Sequence, residues 1–328
     1  MHQNTRPVWT SFFICCALLL LTGCGRQPEI EVGKQTIERD TTWSGIILVS
    51  GDVYVPPGVT LTIAPGTVVK FKRIDKGSDR NLFLADSPYY PEAELIIRGR
   101  LLAKGTRDKW VVFTSAEREA RPADWGAINF LGSAGSVIEY AKILCAYNGI
   151  HAHGSSITVD HCEIVNNGVG ISIKKEEETK DAAWFGKQSD LVITNCLITR
   201  NKGGIGFRNS KAIIRNNEIT DNKFFGIWPK EECEAIISHN RISGNLKGIY
   251  LFQVRGVTIE YNNIFDNREY NLAIAEAQDY PLVARNNWFD TTNPQKIDEL
   301  IFDRKDDPGV AEIVYMPFLE QPVQLEKR

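Results

Sequence analysis

Methionine is scarce in this sequence, and its apolar runs are short. The 328 residues include 2 methionines but 26 glycines, a balance that suits turn-rich β-structure better than packed helices. The apolar stretch at residues 12–21 is shorter than the roughly 20 residues that a transmembrane helix needs. A basic excess is also missing, because 38 Lys and Arg face 41 Asp and Glu and the formal net charge is -3. We therefore expect no nucleic acid partner.

The cysteines lack the spacing of a metal or redox site. None of the seven lies in a CxxC pattern, which is typical of zinc ligands and of redox dithiols. Three of them lie in the N-terminal segment, and Cys145, Cys162, Cys196 and Cys233 remain. The sequence thus predicts no metal site and no cofactor.

The N-terminus has the pattern of an export signal rather than of a folded element. Its short apolar core ends in Leu21-Thr22-Gly23-Cys24, which resembles a bacterial lipobox. By that resemblance residues 1–23 are a lipoprotein signal peptide, Cys24 carries acyl chains that anchor the protein to a lipid bilayer, and residues 24–42 form the anchor and tether. Gly25 then points to the outer membrane, with the protein periplasmic or surface-exposed in the bacterial cell envelope. The alternative is secretion with cleavage near Gly23.

A short sequence motif recurs through the middle of the chain. Each copy has an alternating apolar strand, an anchor residue, an asparagine three residues later and, in most copies, a Gly-Ile strand. Such short strands cannot bury themselves, and runs of Asn, Gly and β-branched residues oppose helix formation. A period near 22 residues therefore predicts an all-β solenoid whose coils stack in parallel. The expected anchors, at intervals of 21, 34, 21, 23, 22 and 24 residues, are Ile143, Ile164, Ile198, Ile219, Ile242, Ile264 and Trp288.

The asparagines of the repeat are expected to form two columns at corners of the solenoid, hydrogen-bonded from coil to coil. One column should contain Asn167, Asn201, Asn222, Asn245 and Asn267, and the other Asn217, Asn240, Asn262 and Asn286. Cys162 and Cys196 share a corner position on consecutive coils. Because the strand spacing exceeds the separation that a disulfide prefers, we expect them to be free, stacked thiols.

Three stretches, at 51–71 with 95–115, at 124–130 and at 284–319, resemble the right-handed parallel β-helix proteins of the pectin-lyase-like superfamily, in its bacterial surface and periplasmic branch. The resemblance implies a β-helix over residues 43–290 and a C-terminal cap and tail over 291–328. Apolar spacing within 294–303 predicts a short capping helix. The superfamily includes lyases, hydrolases, epimerases and adhesins, so the resemblance is specific for the fold and leaves the function open.

Catalytic motifs of the superfamily's enzymes are not found in this sequence. Asp221 and Asp266 share a register but lie two coils apart, about 9.6 Å by strand spacing. A single pair at the upper limit of the separation used by glycosidases is insufficient evidence for a catalytic carboxylate pair. We therefore predict no catalytic residues. His151 and His153 should point outward as solvated side chains; a metal site that includes His161 lacks a carboxylate or thiol in register.

The outward side of the Gly-Ile strands is the candidate binding face. One outward column has Trp228 and Tyr250 beyond a gap at Gly206, and the next is basic with an aromatic end. Aromatic faces beside cations suit the rings and carboxylates of an acidic polysaccharide. The predicted ligand-binding residues are Trp228, Tyr250, Lys174, Arg208, Lys230, Phe252 and Trp184. Alternatively, the aromatics pack beneath the inserts at 174–188 and 74–94.

These patterns predict a monomeric, membrane-anchored β-helix lipoprotein that binds carbohydrate or cell-envelope glycan. One alternative is a polysaccharide lyase or glycoside hydrolase, which a cluster of outward-facing acids would favour. The other is a structural or adhesive spacer, which a face without a groove would favour.

Overall fold

Three long parallel sheets dominate the computed structural model, which describes residues 28–74, 93–173, 188–231, 233–275 and 278–326. Each coil contributes one strand to each sheet, and equivalent strands pair in parallel from coil to coil. The predicted all-β parallel solenoid is therefore confirmed. The segments 75–92 and 174–187, which include most of both inserts, lie outside the described residues.

The strands of the described residues fall into three main sheets. Sheet A consists of Glu29–Val32, Ile46–Val49, Val68–Phe71, Val111–Ser115, Ala141–Leu144, Glu163–Val165, Leu197–Thr199, Glu218–Thr220, Arg241–Ser243 and Asn263–Phe265. Sheet B consists of Gln35–Thr36, Val53–Val55, Leu95–Ile97, Trp125–Leu131, Ala146–His153, Val169–Ile173, Gly203–Arg208, Phe225–Lys230, Lys247–Leu251, Tyr270–Ile274 and Ile301–Phe302. Sheet C consists of Thr41–Trp43, Thr60–Ile63, Arg100–Lys104, Ser136–Glu139, Ser156–Asp160, Ser189–Thr194, Ser210–Arg215, Glu234–Ser238 and Gly256–Glu260.

The anchor isoleucines form a continuous buried stack in sheet A. Each of the six predicted isoleucines pairs with the next in register, and all are fully buried. The seventh anchor is wrong by one residue, because Trp288 pairs with Asn263 and Phe289 is the buried residue. A one-residue shift moves a strand's side chains to the opposite face. Trp288 accordingly packs on Phe265, with ring centroids 5.2 Å apart.

Two asparagine ladders hold the corners of the coils together. In the first, each side-chain amide donates to the side-chain oxygen of the next asparagine. The predicted members Asn167, Asn201, Asn222, Asn245 and Asn267 are thereby confirmed. The ladder continues to Asn271, which the sequence did not indicate. The second ladder is confirmed through Asn262 but ends on Asn287 rather than Asn286. The buried amides therefore satisfy one another along the axis.

The glycine that precedes the repeated isoleucine allows the coils to approach closely. A Cβ atom at Gly204 would lie 2.2 Å from the carbonyl oxygen of Gly226, its equivalent on the next coil. Real Cβ atoms do not tolerate such contacts, so a larger residue here would force the coils apart. Steric fit therefore explains the repeated Gly-Ile pair.

Both described ends of the solenoid have added structure. At the C-terminal end the helix Pro294–Asp298 is shorter than predicted, and Ile301–Phe302 adds a strand to sheet B instead. A separate two-stranded sheet pairs Leu282–Val283 with Ile313–Val314. At the other end the first strand, Glu29–Val32, lies within the segment assigned to the anchor and tether. Among the described residues, no helix has the length and hydrophobicity of a transmembrane segment.

The four cysteines of the solenoid are free and buried, which confirms the prediction of free thiols for Cys162 and Cys196. Cys162 and Cys196 occupy one corner column above the second ladder, where the backbone N–H of Cys162 contacts the sulfur of Cys196 at 3.4 Å and the N–H of Cys196 donates to Asn217. Burial raises the pKa of the Cys162 thiol well above its ordinary value. These thiols therefore belong to the core packing rather than to a reactive site.

Candidate ligand-binding groove

A groove of about 1030 Å³ lies on the outer side of sheet B. It extends along the solenoid axis across five consecutive strands, Ala146–His153, Val169–Ile173, Gly203–Arg208, Phe225–Lys230 and Lys247–Leu251. With a spacing of about 4.8 Å between strands, these strands cover about 19 Å along the axis. In shape it suits an extended chain along the axis.

Aromatic side chains form the floor of the groove. The rings of Trp228 and Tyr250 lie 5.3 Å apart with planes tilted by 35°, and Phe225 meets Trp228 edge-on at 5.1 Å. The gap that the sequence indicated at Gly206 is absent, because the Phe225 ring lies against Gly206 and Gly203. A Cβ atom at Gly203 would lie only 2.4 Å from Phe225 Cζ. The small residues thus make room for an aromatic from the next coil.

Cations line both sides of this aromatic floor. Arg208 and Lys230 are the last residues of their strands. Lys202 and Lys223 lie at the opposite rim, each directly after a ladder asparagine. Arg200 and Lys247 complete the set. The charged residues among the described lining are all basic, six in number, and no carboxylate is among them. Anions are therefore the complementary ligands.

Three of these lysines lie close to aromatic faces. Lys230 Nζ is 3.5 Å from the centroid of the Trp228 ring, Lys247 Nζ is 5.3 Å from that of Tyr250, and Lys202 Nζ is 5.7 Å from that of Phe224. These distances are typical of cation–π contacts. Ammonium groups of the protein itself therefore lie over aromatic rings of the groove.

The ammonium group of Lys230 is half-buried and lies near a second cation. Burial, and then the nearby charge of Arg208, lowers the pKa of Lys230 to about 8, although Glu231 and Cys233 act in the opposite direction. Lys230 forms no ion pair with the described residues, whereas Arg208 lies 3.8 Å from Glu231. An anion beside Lys230 would favour its charged form.

The predicted columns are present, although not every predicted site residue lines the groove. Gly206 pairs with Trp228, and Arg208 with Lys230. Phe252 pairs with Lys230 as predicted, but it does not line the groove. Lys174 and Trp184 lie outside the described residues, and so does the proposed lipidation residue Cys24.

The two outward histidines are buried, which corrects the expectation that they are solvated. His151 and His153 are each 5% exposed, with ring centroids 4.8 Å apart. Asn129, which pairs with His151 on the neighbouring strand, is also fully buried. An outward position is exposed only where no other chain segment lies over it, and sequence alternation cannot report such cover. Among the described residues, no cluster of three or more His, Cys, Asp or Glu side chains could hold a metal ion.

Several groove residues were missed at the sequence level, although a signal for them exists. Most coils have two residues between the ladder asparagine and the glycine, but the coil of Asn222 has three. The extra residue places Phe224 at the rim, 51% exposed, and Phe225 on the floor. The basic residues Lys202 and Lys223 are visible as repeated "NK" pairs.

Comparisons with known proteins agree with this fold. The family model for the right-handed β-helix region matches residues 181–299. The periplasmic alginate epimerase AlgG is 13% identical, with 91% of this chain and 75% of that chain covered and a TM-score of 0.50. PfbA, a surface adhesin of Streptococcus pneumoniae, is also 13% identical, with 76% of each chain covered and a TM-score of 0.47. No curated protein matches the sequence. At 13% identity the likeness to AlgG shows a shared fold alone. Together with the family-model match and the parallel sheets, it identifies the chain as a right-handed parallel β-helix protein.

Proposed function

We propose that the protein is a cell-envelope lipoprotein that binds an acidic glycan in the groove of sheet B. The observation that carries the proposal is the composition of the described lining, in which six cations surround an aromatic floor without a carboxylate. Aromatic rings suit the apolar faces of sugars, and cations suit their carboxylates. Arg208 and Lys247 already face Glu231 and Glu269, but a neutral ligand would leave the other four cations without an anionic partner among the described residues.

The groove also supports this proposal against the alternative of a simple spacer. The indole nitrogen of Trp228 is buried and has no hydrogen-bond partner among the described residues. Buried donors are normally paired, so a ligand that displaces the side chains covering this nitrogen would supply its missing acceptor. Such a ligand gains both a stacking surface and a hydrogen-bond donor.

A direct test is titration of the protein with acidic and neutral oligosaccharides of matched length. Alginate oligomers are a suitable acidic probe because an epimerase of the same fold is named for that polymer, and cellulose oligomers are a suitable neutral one. We expect calorimetry to show binding of the alginate oligomers that weakens as salt is added. Failure of the wild-type protein to bind either alginate or polygalacturonate oligomers would overturn the proposal.

The rim lysines give the first mutational prediction. Replacing Lys202 and Lys223 together by Ala should weaken alginate binding about 5-fold and reduce its salt dependence, because exposed charge pairs contribute modest energies each. The matched control is Lys104→Ala with Lys211→Ala, which removes two exposed lysines from sheet C. Equal losses in the two double variants would indicate an effect of net charge rather than of the groove.

The proposed anchor has a separate test in cells. Replacing Cys24 by Ser should move the protein from the membrane fraction to the soluble fraction or block its processing, because several acyl chains give stable anchoring and none could be attached. Fractionation and gel mobility measure the change. A Cys24→Ser protein that stays in the membrane with unchanged mobility would contradict lipid anchoring and leave the groove proposal intact.

A further inference from the structure

The ammonium group of Lys230 lies over the aromatic surface that a sugar would use. Trp228 and Lys230 are two residues apart on one strand, so their side chains leave the same face of sheet B. Lys230 Nζ is 3.5 Å from the Trp228 ring centroid, while Phe225 and Tyr250 pack against the same indole. Of these three neighbours, only the lysine has a long flexible side chain. A sugar that stacks on Trp228 must therefore displace Lys230.

We propose that Lys230 acts as a selectivity gate. In the free protein its ammonium group covers the Trp228 ring, and it moves off the ring only when the incoming sugar carries a carboxylate. The inference rests on the proposed function and specifies its ligand class. A uronate sugar replaces the cation–π contact with an ion pair, because its carboxylate accepts the displaced ammonium. A neutral sugar breaks the same contact and leaves the half-buried ammonium without an anionic partner. The gate thus acts against neutral sugars as well as in favour of acidic ones.

The other two lysine–aromatic contacts are less suited to this role. Lys247 lies farther from its ring and is held by an ion pair with Glu269. Lys202 is exposed at the rim, 5.7 Å from the Phe224 centroid. Lys230 alone combines the short distance, partial burial and the repulsion from Arg208 that makes an incoming anion favourable.

The decisive experiment compares wild type with Lys230→Met on both probes. We expect the variant to bind alginate oligomers at least about 10-fold more weakly, because a charged partner is lost. We also expect it to bind cellulose oligomers about 2- to 30-fold more tightly, the range that corresponds to a cation–π contact. Lys230→Arg should keep the preference for the acidic probe. The control Lys211→Met, on the exposed face of sheet C, should change neither affinity.

A second readout follows the proton on Lys230. Among the residues that the structure describes, the charged and titratable groups that act on it are Arg208, Glu231 and Cys233. A uronate carboxylate should raise the lowered pKa of Lys230, so wild type should take up protons when it binds alginate oligomers near pH 8. Calorimetry in buffers of different ionisation enthalpy measures this uptake, which Lys230→Met should lack.

The possible outcomes distinguish the failure of the Lys230 proposal from the failure of the proposed glycan-binding function. Loss of alginate affinity in Lys230→Met with no gain for the neutral probe would overturn the gate, leaving Lys230 as an ordinary attractive charge and the proposed function intact. If the wild-type protein takes up no protons on binding alginate oligomers, this result would also argue against replacement of the cation–π contact by an ion pair. A wild-type protein that binds neither alginate nor polygalacturonate would overturn the gate and the proposed function together.

Discussion

Replacing Trp228 by Ala should weaken binding of alginate oligomers at least about 30-fold, the loss expected when a central tryptophan is removed from a binding site. Its ring contacts Tyr250 and Phe225 and carries Lys230, so truncation removes the middle of the aromatic floor. The free energy of unfolding should fall by only about 1–2 kcal/mol, because the side chain is half-buried on the outer side of the sheet. Calorimetry and denaturant unfolding of one preparation measure both quantities.

Trp125 provides a matched control on the same sheet. It is fully buried, stacks on Phe71 at 4.0 Å and donates its indole hydrogen bond to the Leu144 carbonyl at 2.8 Å. Trp125→Ala should therefore cost about 3–5 kcal/mol of stability, the usual cost of truncating a buried tryptophan. If Trp228→Ala were equally destabilising, the packing alternative for the outer aromatics would be correct and the loss of binding would be secondary.

The solenoid could be predicted from the sequence because its coils repeat the same environment. Each ladder asparagine must satisfy the same backbone groups, and each anchor must fill the same volume. The same residue types therefore recur at the same positions in successive coils of the sequence. The exception is the last coil, where adjacent Asn286 and Asn287 precede adjacent Trp288 and Phe289. Either register gives an asparagine and an aromatic in the required places.

The structure shows how this ambiguity is resolved. Asn286 has a positive φ of 57°, and the residues that precede the ladder in earlier coils, Asn216, His239 and Tyr261, share this conformation. The corner therefore uses two positions, a left-handed residue followed by the ladder asparagine. The pair Asn216-Asn217 carries the same signal in the sequence, with its second member in the ladder.

The groove was less predictable because its residues are unique rather than repeated. Period-two alternation places Trp228, Tyr250, Arg208 and Lys230 on the outer face, and the structure agrees. Alternation cannot show that Phe225 crosses to the space beside Gly206 or that Lys230 folds over Trp228. Such contacts depend on the direction of each side chain and on the extra residue at the corner. Neither of these alters the pattern of residue types that defines the repeat, so the pattern does not reveal the contacts.

Replacing Asn222 by Ala should destabilise the solenoid by about 3 kcal/mol, because each buried polar group left without a partner costs about 1–3 kcal/mol. The side-chain oxygen of Asn222 accepts from the backbone N–H and the side-chain amide of Asn201, each at 3.1 Å. Its amide donates to the Ile198 carbonyl at 3.1 Å and to Asn245 at 2.9 Å. The Asn201 side chain retains another partner, the Ile164 carbonyl. The truncation therefore exposes mainly the Asn201 N–H and the Ile198 carbonyl to an apolar interior.

A second variant at the same position separates the hydrogen bonds that the Asn222 side chain donates from the volume that it fills. Asn222→Asp keeps the size of the side chain and its acceptors for Asn201, but it loses both donors and places a carboxylate beside the Asn245 oxygen. We expect Asp at neutral pH to destabilise at least as much as Ala, because a buried charge without a counter-ion costs more than a lost neutral contact. Lys211→Ala, exposed on sheet C, should leave unfolding unchanged. If denaturant unfolding shows Asp to be tolerated while Ala is not, the two bonds that the Asn222 amide donates would contribute no net stability, and the stabilisation would come from the filled volume and the bonds accepted from Asn201.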